Sequence, residues 1–285
     1  MPELPEVEVV RLGMAPAVTG ATVTSVEVFD QRSLRRHDGD AADFEAALLG
    51  QRMLEPRRRG KFLWVPLAGS PSQALVMHLG MSGQVLLREV GAVPDRHVRI
   101  RLIVQRPEAE EYELRFADQR LFGGMAVRSV DALGVPDQVQ HIALDPVDAA
   151  FDADAVVERL RRRTQSVKAA LLDQQLLSGI GNIYADEALW RARLHFATPG
   201  RRLSKRKALE LMTHVQDVLE KALTEGGTSF DAMYVNVNGE SGYFAHSLNV
   251  YGQQGRPCPR CETPIKRVPF GGRSSHFCPR CQRRR

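Results

Sequence analysis

The chain has 285 residues, of which 43% are hydrophobic and 26% charged, a composition typical of soluble globular proteins with room for two domains. No apolar run approaches the length that a bilayer requires and no basic, apolar leader opens the sequence, so we expect a cytoplasmic protein without a membrane partner. The net charge of +5 favours a polyanionic partner.

The first part of the chain predicts a short helix followed by a β-rich domain. Residues 6–18 form an apolar helical segment, with Pro5 suited to its first turn. From 21 to 130, short apolar or alternating segments are separated by Gly and Pro, and one helix is expected near 41–49. This pattern predicts antiparallel strands in a sandwich or a barrel, and we assign residues 1–130 to an N-terminal domain.

A helical region follows. Residues 131–151 carry turn residues and weak periodicity, as a linker does, and residues 152–255 then show helical spacing of apolar side chains. In the last of these helices, Ser204 is the expected N-cap and Gly226 the expected C-cap. A loop over 226–247 leads to the tail.

The tail, residues 256–285, predicts a small metal-bound domain. It holds nine Lys/Arg against one acidic residue, and it contains every cysteine of the chain in a C-x2-C-x16-C-x2-C pattern: Cys258, Cys261, Cys278 and Cys281. Four thiolates suit one tetrahedral zinc ion and leave no position for water, so the site should be structural. Between the pairs, two strand-like segments flank Gly271 and Gly272, which predicts a hairpin with Arg273 at its tip.

The stretch "LLSGIGNIYADE" predicts a glycine turn that opens a helix at Asn182. Gly179 and Gly181 allow close approach of the backbone to a ligand, and the unpaired N–H groups of a helix start suit phosphate. Such a turn is usually only a connection between helices. Cations at 161–163 and at Lys168 strengthen the phosphate interpretation.

The N-terminal stretch "MPELPEVE" allows two interpretations. If the initiator methionine is removed, Pro2 has a free secondary amine beside Glu3 and Glu6. The carboxylates then either favour an ordinary helix N-terminus or accompany a nucleophile. An α-amino group has a pKa of about 7.7–8.0 against about 10.4 for lysine, so more of it is unprotonated near neutral pH.

Six features follow one another along the chain: "PELPEVE", "RRRGKFL", "HLGMSG", "DQRLFGG", "KAALLDQ…GIGNIYADE" and the four-cysteine tail. Together they resemble the formamidopyrimidine-DNA glycosylases, bacterial enzymes that remove oxidised purines from DNA. The resemblance implies an α+β multidomain fold: an N-terminal antiparallel β-sandwich with flanking helices, a helix-two-turns-helix domain and a C-terminal zinc β-hairpin. One departure is Gln119, where many relatives carry proline.

The resemblance also implies an activity, that of a bifunctional DNA glycosylase and AP lyase of base excision repair. Pro2 would attack the sugar, Glu3 would protonate the ring oxygen, and Glu6 would reach the same site. Lys61 would serve in β-elimination and Arg273 in δ-elimination. The implied partner is double-stranded DNA with oxidised bases or abasic sites, the implied cofactor is one structural Zn²⁺ ion, and we expect a monomer associated with the bacterial nucleoid.

Further positions are implied to contact DNA. Met81, Arg120 and Phe122 would fill the gap left when the damaged nucleotide is turned out of the stack. The positions expected to hold the backbone are His78, His97, Arg163, Lys168 and Asn182. Thr228 and Tyr243, in the 226–247 loop, would belong to the segment that closes over the extruded base.

Two alternatives remain open. An endonuclease VIII-type glycosylase shares the architecture but prefers oxidised pyrimidines, although "PELPEVE" and the zinc hairpin favour the purine enzyme. A damaged-DNA-binding protein without catalysis would use only the glycine turn and the zinc hairpin. The presence of Pro2, Glu3 and Lys61 together argues against it, since a binding protein has no need for that set.

Overall fold

The computed structural model describes residues 2–68, 73–107, 111–228 and 244–284 of the chain. These residues divide into two compact units. The first contains the residues up to His141 together with Thr228, and the second contains Ile142–Gly227 and the residues from 244 onward. Among the helices of this described part, none is both long enough and apolar enough to span a bilayer.

Helices flank the strands of the first unit, and they are α1 (Leu4–Val18), α2 (Ala41–Leu48) and the short α3 (Asp137–Gln140). Pro5 lies in the first turn of α1, as predicted. The apolar residues of α1 that recur every three or four positions are buried, so one face of the helix meets the core: Leu4, Val7, Val10, Met14 and Val18. Helix α2 matches the predicted helix near 41–49, and Asp40 caps it by accepting two backbone N–H bonds.

The strands of the first unit are β1 (Thr22–Val28), β2 (Arg57–Arg59), β3 (Phe62–Pro66), β4 (Gln73–His78), β5 (Gly83–Glu89), β6 (Val98–Gln105), β7 (Glu111–Asp118) and β8 (Gly124–Ser129). They form two four-stranded sheets with the orders β1-β6-β7-β5 and β2-β3-β4-β8. All neighbouring strands in both sheets are antiparallel.

The two sheets share one hydrophobic core. In β6, Ile100, Leu102 and Val104 are fully buried and the residues between them are only partly so, the period-two pattern of a strand with one face inward. Phe116 of β7 and Met77 of β4 belong to the same buried cluster, which α1 and α2 complete. The predicted antiparallel sandwich with flanking helices is therefore confirmed.

The second unit begins with four α-helices, namely α4 (Ala153–Arg161), α5 (Val167–Leu171), α6 (Asn182–Arg191) and α7 (Lys205–Thr224). Gly181 is the N-cap of α6, so this helix begins at the predicted residue. Helix α7 begins after Ser204, whose hydroxyl accepts the backbone N–H of Lys207 at 3.2 Å. Its C-cap is Glu225, one position before the predicted cap Gly226, which follows with a φ of 74°.

The tail forms the predicted hairpin from β9 (Lys266–Phe270) and β10 (Arg273–Phe277). Gly271 and Gly272 have φ values of 51° and 73°, the left-handed conformation that a two-residue hairpin turn requires. Arg273 pairs with Phe270 and so lies at the tip. A small buried cluster joins the opposite end of the hairpin to α6: Trp190, Val250, Cys258, Ile265 and Cys278.

The division between the two units follows His141. The segment 131–151, expected to be a linker, contains helix α3. The domain limits that the sequence predicts, at 130, 152 and 256, remain predictions.

Candidate functional site

The N-terminal residues of the first unit are held by the start of α1. Pro2 is buried, and Glu3, which is 1% exposed, is the N-cap of the helix. One carboxylate oxygen of Glu6, Oε2, accepts the backbone N–H of Glu3 at 2.8 Å. This reciprocal capping arrangement orients the first residues of the helix.

The other carboxylate oxygen of Glu6 contacts a residue more than two hundred positions away. Oε1 accepts the backbone N–H of Thr228 at 2.8 Å and its hydroxyl at 2.9 Å. Glu6 and Thr228 are 3% and 6% exposed. The predicted lesion-loop residue Thr228 therefore lies beside the N-terminus, whereas Tyr243 lies outside the described residues. Both oxygens of Glu6 are used for positioning.

Lys61 lies in a tight turn with Gly60 between β2 and β3, and Gly60 has a φ of 57°. The next residue, Phe62, pairs with His78 across β3 and β4, and their rings are 4.8 Å apart. The structure thus brings Lys61 near His78, two residues that the sequence separates by a strand and a loop.

His78 is neutral in this setting. Burial lowers its pKa from the ordinary 6.5 to about 3, and the positive charges of Arg36, Lys61 and Arg35 act in the same direction. Its Nδ1 accepts the backbone N–H of Gly80 at 3.0 Å. The hydrogen of the neutral ring is therefore on Nε2, which can donate to an acceptor such as a phosphate oxygen.

Met81, Arg120 and Phe122 lie on two loops that a single carboxylate holds together. Asp118, which is fully buried, accepts the hydroxyl of Ser82 at 2.6 Å and the backbone N–H of Arg120 at 3.1 Å through Oδ1. Its Oδ2 accepts the backbone N–H of Gly123 at 2.8 Å. The 79–83 loop and the 119–123 loop therefore share one anchor.

The tips of these loops are exposed although their bases are rigid. Met81 and Phe122 are 41% and 44% exposed, and the guanidinium of Arg120 lies 5.0 Å from the ring of Phe122. A Cβ atom on Gly80 would approach the backbone nitrogen of Gly123 to 2.3 Å, so the loops touch where Gly80 lacks a side chain. Exposed apolar side chains on a fixed base suit insertion into a base stack.

His97 is also connected to this region through its backbone. It is exposed, has a φ of 61°, and its carbonyl accepts the N–H of Asp118 at 3.0 Å. Sequence reasoning missed Asp118 and Ser82, although both lie inside or beside the motifs "DQRLFGG" and "HLGMSG". A motif marks the segment, but it does not say which polar side chain points inward.

In the second unit, the start of α6 lies against the hairpin. The side-chain N–H of Asn182 donates to the carbonyl of Ser274 at 3.0 Å, and Ser274 follows Arg273 in β10. Arg273 is exposed at the tip. The structure therefore brings Asn182 and Arg273 together, as two positions predicted to contact phosphate.

Lys168 has a different setting from a side chain directed at DNA. It has no exposed surface, and its Nζ donates to Asp186 at 2.7 Å, to Ser275 at 2.8 Å and to the carbonyl of Ser274 at 2.9 Å. A buried ammonium needs such partners because its desolvation is otherwise uncompensated. In this structure Lys168 ties α5 and α6 to the hairpin. Arg163, also predicted to contact DNA, forms an ion pair with Asp173 at 2.5 Å.

Two adjacent carboxylates of α6, which the sequence did not single out, complete this attachment. Asp186 also accepts the backbone N–H of His276 at 2.8 Å. Glu187, 1% exposed, accepts backbone N–H groups from three successive residues at 2.8 to 3.0 Å: Asn249, Val250 and Tyr251. Both acids lie in the motif "GIGNIYADE", whose helical spacing gives no sign that they face inward.

The four cysteines form one compact donor set. Their sulfur atoms all lie within 4.8 Å of one another. The burial of Cys281, together with its neighbouring thiols, raises its pKa to about 12, as expected for thiols that cannot all ionise without a cation among them. The Nε1–H of Trp190 points at the sulfur of Cys258 at 3.5 Å. Four sulfur donors with such support fit zinc.

Three protein-family models match most of the chain. Residues 1–125 match the formamidopyrimidine-DNA glycosylase N-terminal domain, and residues 142–233 match the formamidopyrimidine-DNA glycosylase H2TH domain. Residues 255–284 match a zinc finger found in FPG and IleRS. The zinc-finger match and the cysteine cluster agree, so the chain has a structural zinc site formed by its four cysteines.

Individual proteins resemble the chain over its whole length. It is 56% identical to a formamidopyrimidine-DNA glycosylase of Leifsonia xyli, covering 99% of this chain and 100% of that protein, and 53% identical to one of Streptomyces coelicolor, with 99% and 98% covered. Crystal structures of Lactococcus lactis Fpg, 31% identical, cover 99% of this chain and 100% of theirs with a TM-score of 0.87. They hold DNA with an abasic site, Fapy-dG or an oxidised pyrimidine.

The neutral His78 predicts a pH dependence of stability. The folded state keeps His78 unprotonated down to a pH of about 3, whereas the unfolded chain protonates it near 6.5. The unfolded state binds the extra proton between these values, so the free energy of unfolding falls as the pH drops through this window. Compared with His78→Gln by urea unfolding, the wild type should lose more stability from pH 7 to pH 4. A constant difference between the two proteins would contradict this.

The metal centre predicts a selective effect of cysteine removal. Native mass spectrometry should find one zinc ion per chain, and Cys278→Ser should lose it because a zinc site of this kind needs all four thiolates. The hairpin should then unfold, while the first unit, which has its own core, should keep its circular dichroism and its thermal transition. A variant that retains stoichiometric zinc would disprove the assignment.

Proposed function

The chain belongs to the formamidopyrimidine-DNA glycosylase family, and on that basis we propose that it is a bifunctional DNA glycosylase and AP lyase of base excision repair. Its substrates are oxidised purines, 8-oxoguanine and formamidopyrimidines, in double-stranded DNA. The observation that carries the proposal is the buried start of α1, where Pro2 precedes Glu3 and where Glu6 is hydrogen-bonded to both Glu3 and Thr228.

The first chemical step is attack of the Pro2 amine on C1′ of the damaged nucleotide. The bond from C1′ to the base breaks, the electron pair leaves with the base, and the proton that the attacking amine loses ends on the departing base. Glu3 donates a proton to the sugar ring oxygen, so that the ring opens and the C1′–nitrogen bond becomes an iminium. Because proline is a secondary amine, this iminium carries a fixed positive charge, which acidifies the neighbouring sugar proton.

Strand cleavage follows from that acidified proton. Lys61, in the turn between β2 and β3, contacts phosphate and assists β-elimination, and Arg273 at the hairpin tip assists δ-elimination. Each elimination breaks one carbon–oxygen bond to phosphate and leaves the phosphate on the departing strand. The left-handed glycines at Gly60 and at Gly271–Gly272 support these roles because they make both turns tight and leave each cation at a tip.

Glu6 is a positioning residue in this scheme. One carboxylate oxygen accepts the backbone N–H of Glu3 and so orients that residue. The other oxygen accepts two hydrogen bonds from Thr228, a residue of the predicted lesion loop. Closure of that loop, with Tyr243, over an extruded base is thereby coupled to the N-terminal nucleophile. Charge-assisted hydrogen bonds of this kind are among the stronger ones in proteins.

The backbone of the DNA is held from both units. In the first, neutral His78 donates from Nε2 and His97 contacts phosphate from an exposed position. In the second, Asn182 and Arg163 contact phosphate at the helix-two-turns-helix region, and Lys168 acts through the hairpin that it anchors. Met81, Arg120 and Phe122 fill the gap beside the extruded nucleotide, supported by their common anchor Asp118.

A second substrate class has one specific observation in its favour. A Lactococcus lactis Fpg structure contains DNA with an oxidised pyrimidine. We therefore extend the proposal to some activity on oxidised pyrimidines, below that on purines. We further propose that the enzyme works as a monomer in the bacterial cytoplasm at the nucleoid. Its domains are the sandwich at 1–130, the linker at 131–151, the helical domain at 152–255 and the zinc hairpin at 256–285.

A blocked N-terminus tests the nucleophile. Any residue left in front of Pro2 converts its amine to an amide, which is not nucleophilic. A protein with a non-removable N-terminal extension should bind duplex DNA containing 8-oxoguanine but form no adduct on borohydride reduction. The matched control carries the same extension with a protease site placed so that cleavage leaves Pro2 as the first residue. Cleavage should restore the adduct. Full trapping by the extended protein would exclude Pro2 as the nucleophile.

The base opposite the lesion tests Arg120. Its parallel N–H donors match the O2 and N3 acceptors of cytosine, whereas adenine offers one acceptor beside an amino donor. The mismatched contact should cost about 1–3 kcal/mol, or roughly 5- to 150-fold in rate. We expect faster excision of 8-oxoguanine opposite cytosine than opposite adenine, with the ratio falling toward one in Arg120→Ala. Equal rates in the wild type would remove Arg120 from this role.

A further inference from the structure

A basic cleft lies in the second unit, apart from the hairpin tip. Its volume is about 1140 Å³, and its walls come from the residues after α6, the start of α7 and the zinc-binding tail. Seven cationic side chains line it: Arg193, Arg202, Arg206, Lys207, Arg260, Arg280 and Arg283. Among the described residues that line the cleft, Glu210 is the one carboxylate.

The cleft remains positive after its negative groups are counted. Glu210 is paired with Lys207 at 2.7 Å. Cys261 and Cys281 also line the cleft, and a zinc ion bound by four thiolates has a net charge of −2. Seven cations against one carboxylate and this metal centre leave a surplus of about four positive charges.

The cations of the cleft differ from two arginines of the first unit. On the neighbouring strands β6 and β7, Arg101 and the buried Arg115 form salt bridges with Glu27 and Glu113 at 2.5 Å. In the cleft, by contrast, four exposed guanidinium groups have no salt bridge to any residue in the described part of the chain: Arg193, Arg206, Arg280 and Arg283.

The start of α7 breaks a rule of helix electrostatics. The positive end of the helix dipole favours carboxylates in the first turn, but the first turn of this 20-residue helix has none and instead holds Lys205, Arg206 and Lys207. Lys205 is paired with Asp154, whereas Arg206 and Lys207 face the cleft. Lys207 is itself paired with Glu210, so among the described residues Arg206 is the cation of this turn without a salt bridge. A local rule that the fold compensates only in part is typical of a site whose remaining counter-charge comes from a ligand.

The cleft lies away from Asn182 and Arg273, two of the residues proposed to contact the lesion-containing duplex. From Arg273, β10 runs five residues to Phe277 and the next residue is Cys278, which places the zinc end roughly 13 Å or more from the tip. Helix α6 gives the same result, since Asn182 begins it, Arg193 follows its end, and ten helical residues span about 15 Å. Both elements put the cleft at the end opposite to Asn182 and Arg273.

We propose that this cleft binds the phosphate backbone of a second DNA segment, distinct from the duplex that contains the lesion. The proposal rests on the proposed function in DNA repair. Planar guanidinium groups bind phosphate through two parallel N–H donors, and several of them along an open cleft match the regularly spaced charges of a backbone better than a single small anion. A second grip allows the enzyme to pass between DNA segments without full release, a transfer that salt should suppress.

The test uses the full-length, zinc-containing protein. The lesion site is first saturated with a short duplex carrying a tetrahydrofuran abasic-site analogue, and a fluorescent undamaged duplex is then added while its anisotropy is followed at several salt concentrations. The wild-type complex should bind the second duplex. In Arg206→Gln/Arg280→Gln, the slope of log affinity against log salt should shrink by about two units, because two phosphate contacts are lost.

The matched control is Arg106→Gln/Lys221→Gln, which removes two exposed cations outside the cleft. It should leave the slope unchanged, and both double variants should excise 8-oxoguanine from the short duplex at the wild-type rate. Absence of 8-oxoguanine excision by the wild-type protein would refute the proposed function. Three results would each overturn the second-segment proposal. The first is normal excision by a wild-type protein that does not bind the second duplex, and the second is an equal salt slope in both double variants. The third is an excision defect of the cleft variant that is seen only with a long lesion-containing duplex.

Discussion

A carboxylate that is removed from water must be surrounded by donors, and this constraint organises the functional segments of the chain. Glu6, Asp118, Asp186 and Glu187 are each at most 3% exposed. Each accepts at least one backbone N–H group from outside its own turn, at 2.8 to 3.0 Å. Because the backbone donates, the position of the segment is fixed whatever its side chains are, so those side chains are free to serve recognition.

The same constraint explains why exposed and buried charge have different tasks. Lys168, although part of a motif that suggests phosphate binding, is completely buried and satisfies Asp186, so its charge stabilises the joint between α6 and the hairpin. Arg273 lies one residue from Ser274, a partner of that lysine, yet is exposed. A buried ion pair thereby holds an exposed cation in place. The pair contributes position more than net stability, since desolvation offsets much of its attraction.

The zinc centre extends this arrangement to a part of the chain too small to fold by itself. Its cysteines share a buried cluster with Trp190 at the end of α6, and Arg260 covers the same indole with its guanidinium 3.8 Å from the ring. The hairpin is therefore attached to α6 at both ends, through Asn182 and Ser274 beside the tip and through the metal-binding end. Two attachments along one strand define its orientation, which a single one would leave free to rotate. The two ends present different surfaces, with Asn182 and Arg273 at one and the basic cleft at the other.

The sequence by itself determined the features that depend on short spacing. The zinc ligands, the hairpin turn at Gly271–Gly272, the caps of the helices and the alternation of the sandwich strands all follow from neighbours in the chain. Only the tertiary structure decided which polar side chains face inward. Periodicity could not separate Asp118 from the exposed Arg120 two residues away, or show that Lys168 is buried. Those outcomes depend on partners up to 222 positions distant, as between Glu6 and Thr228, and no local pattern encodes such pairings.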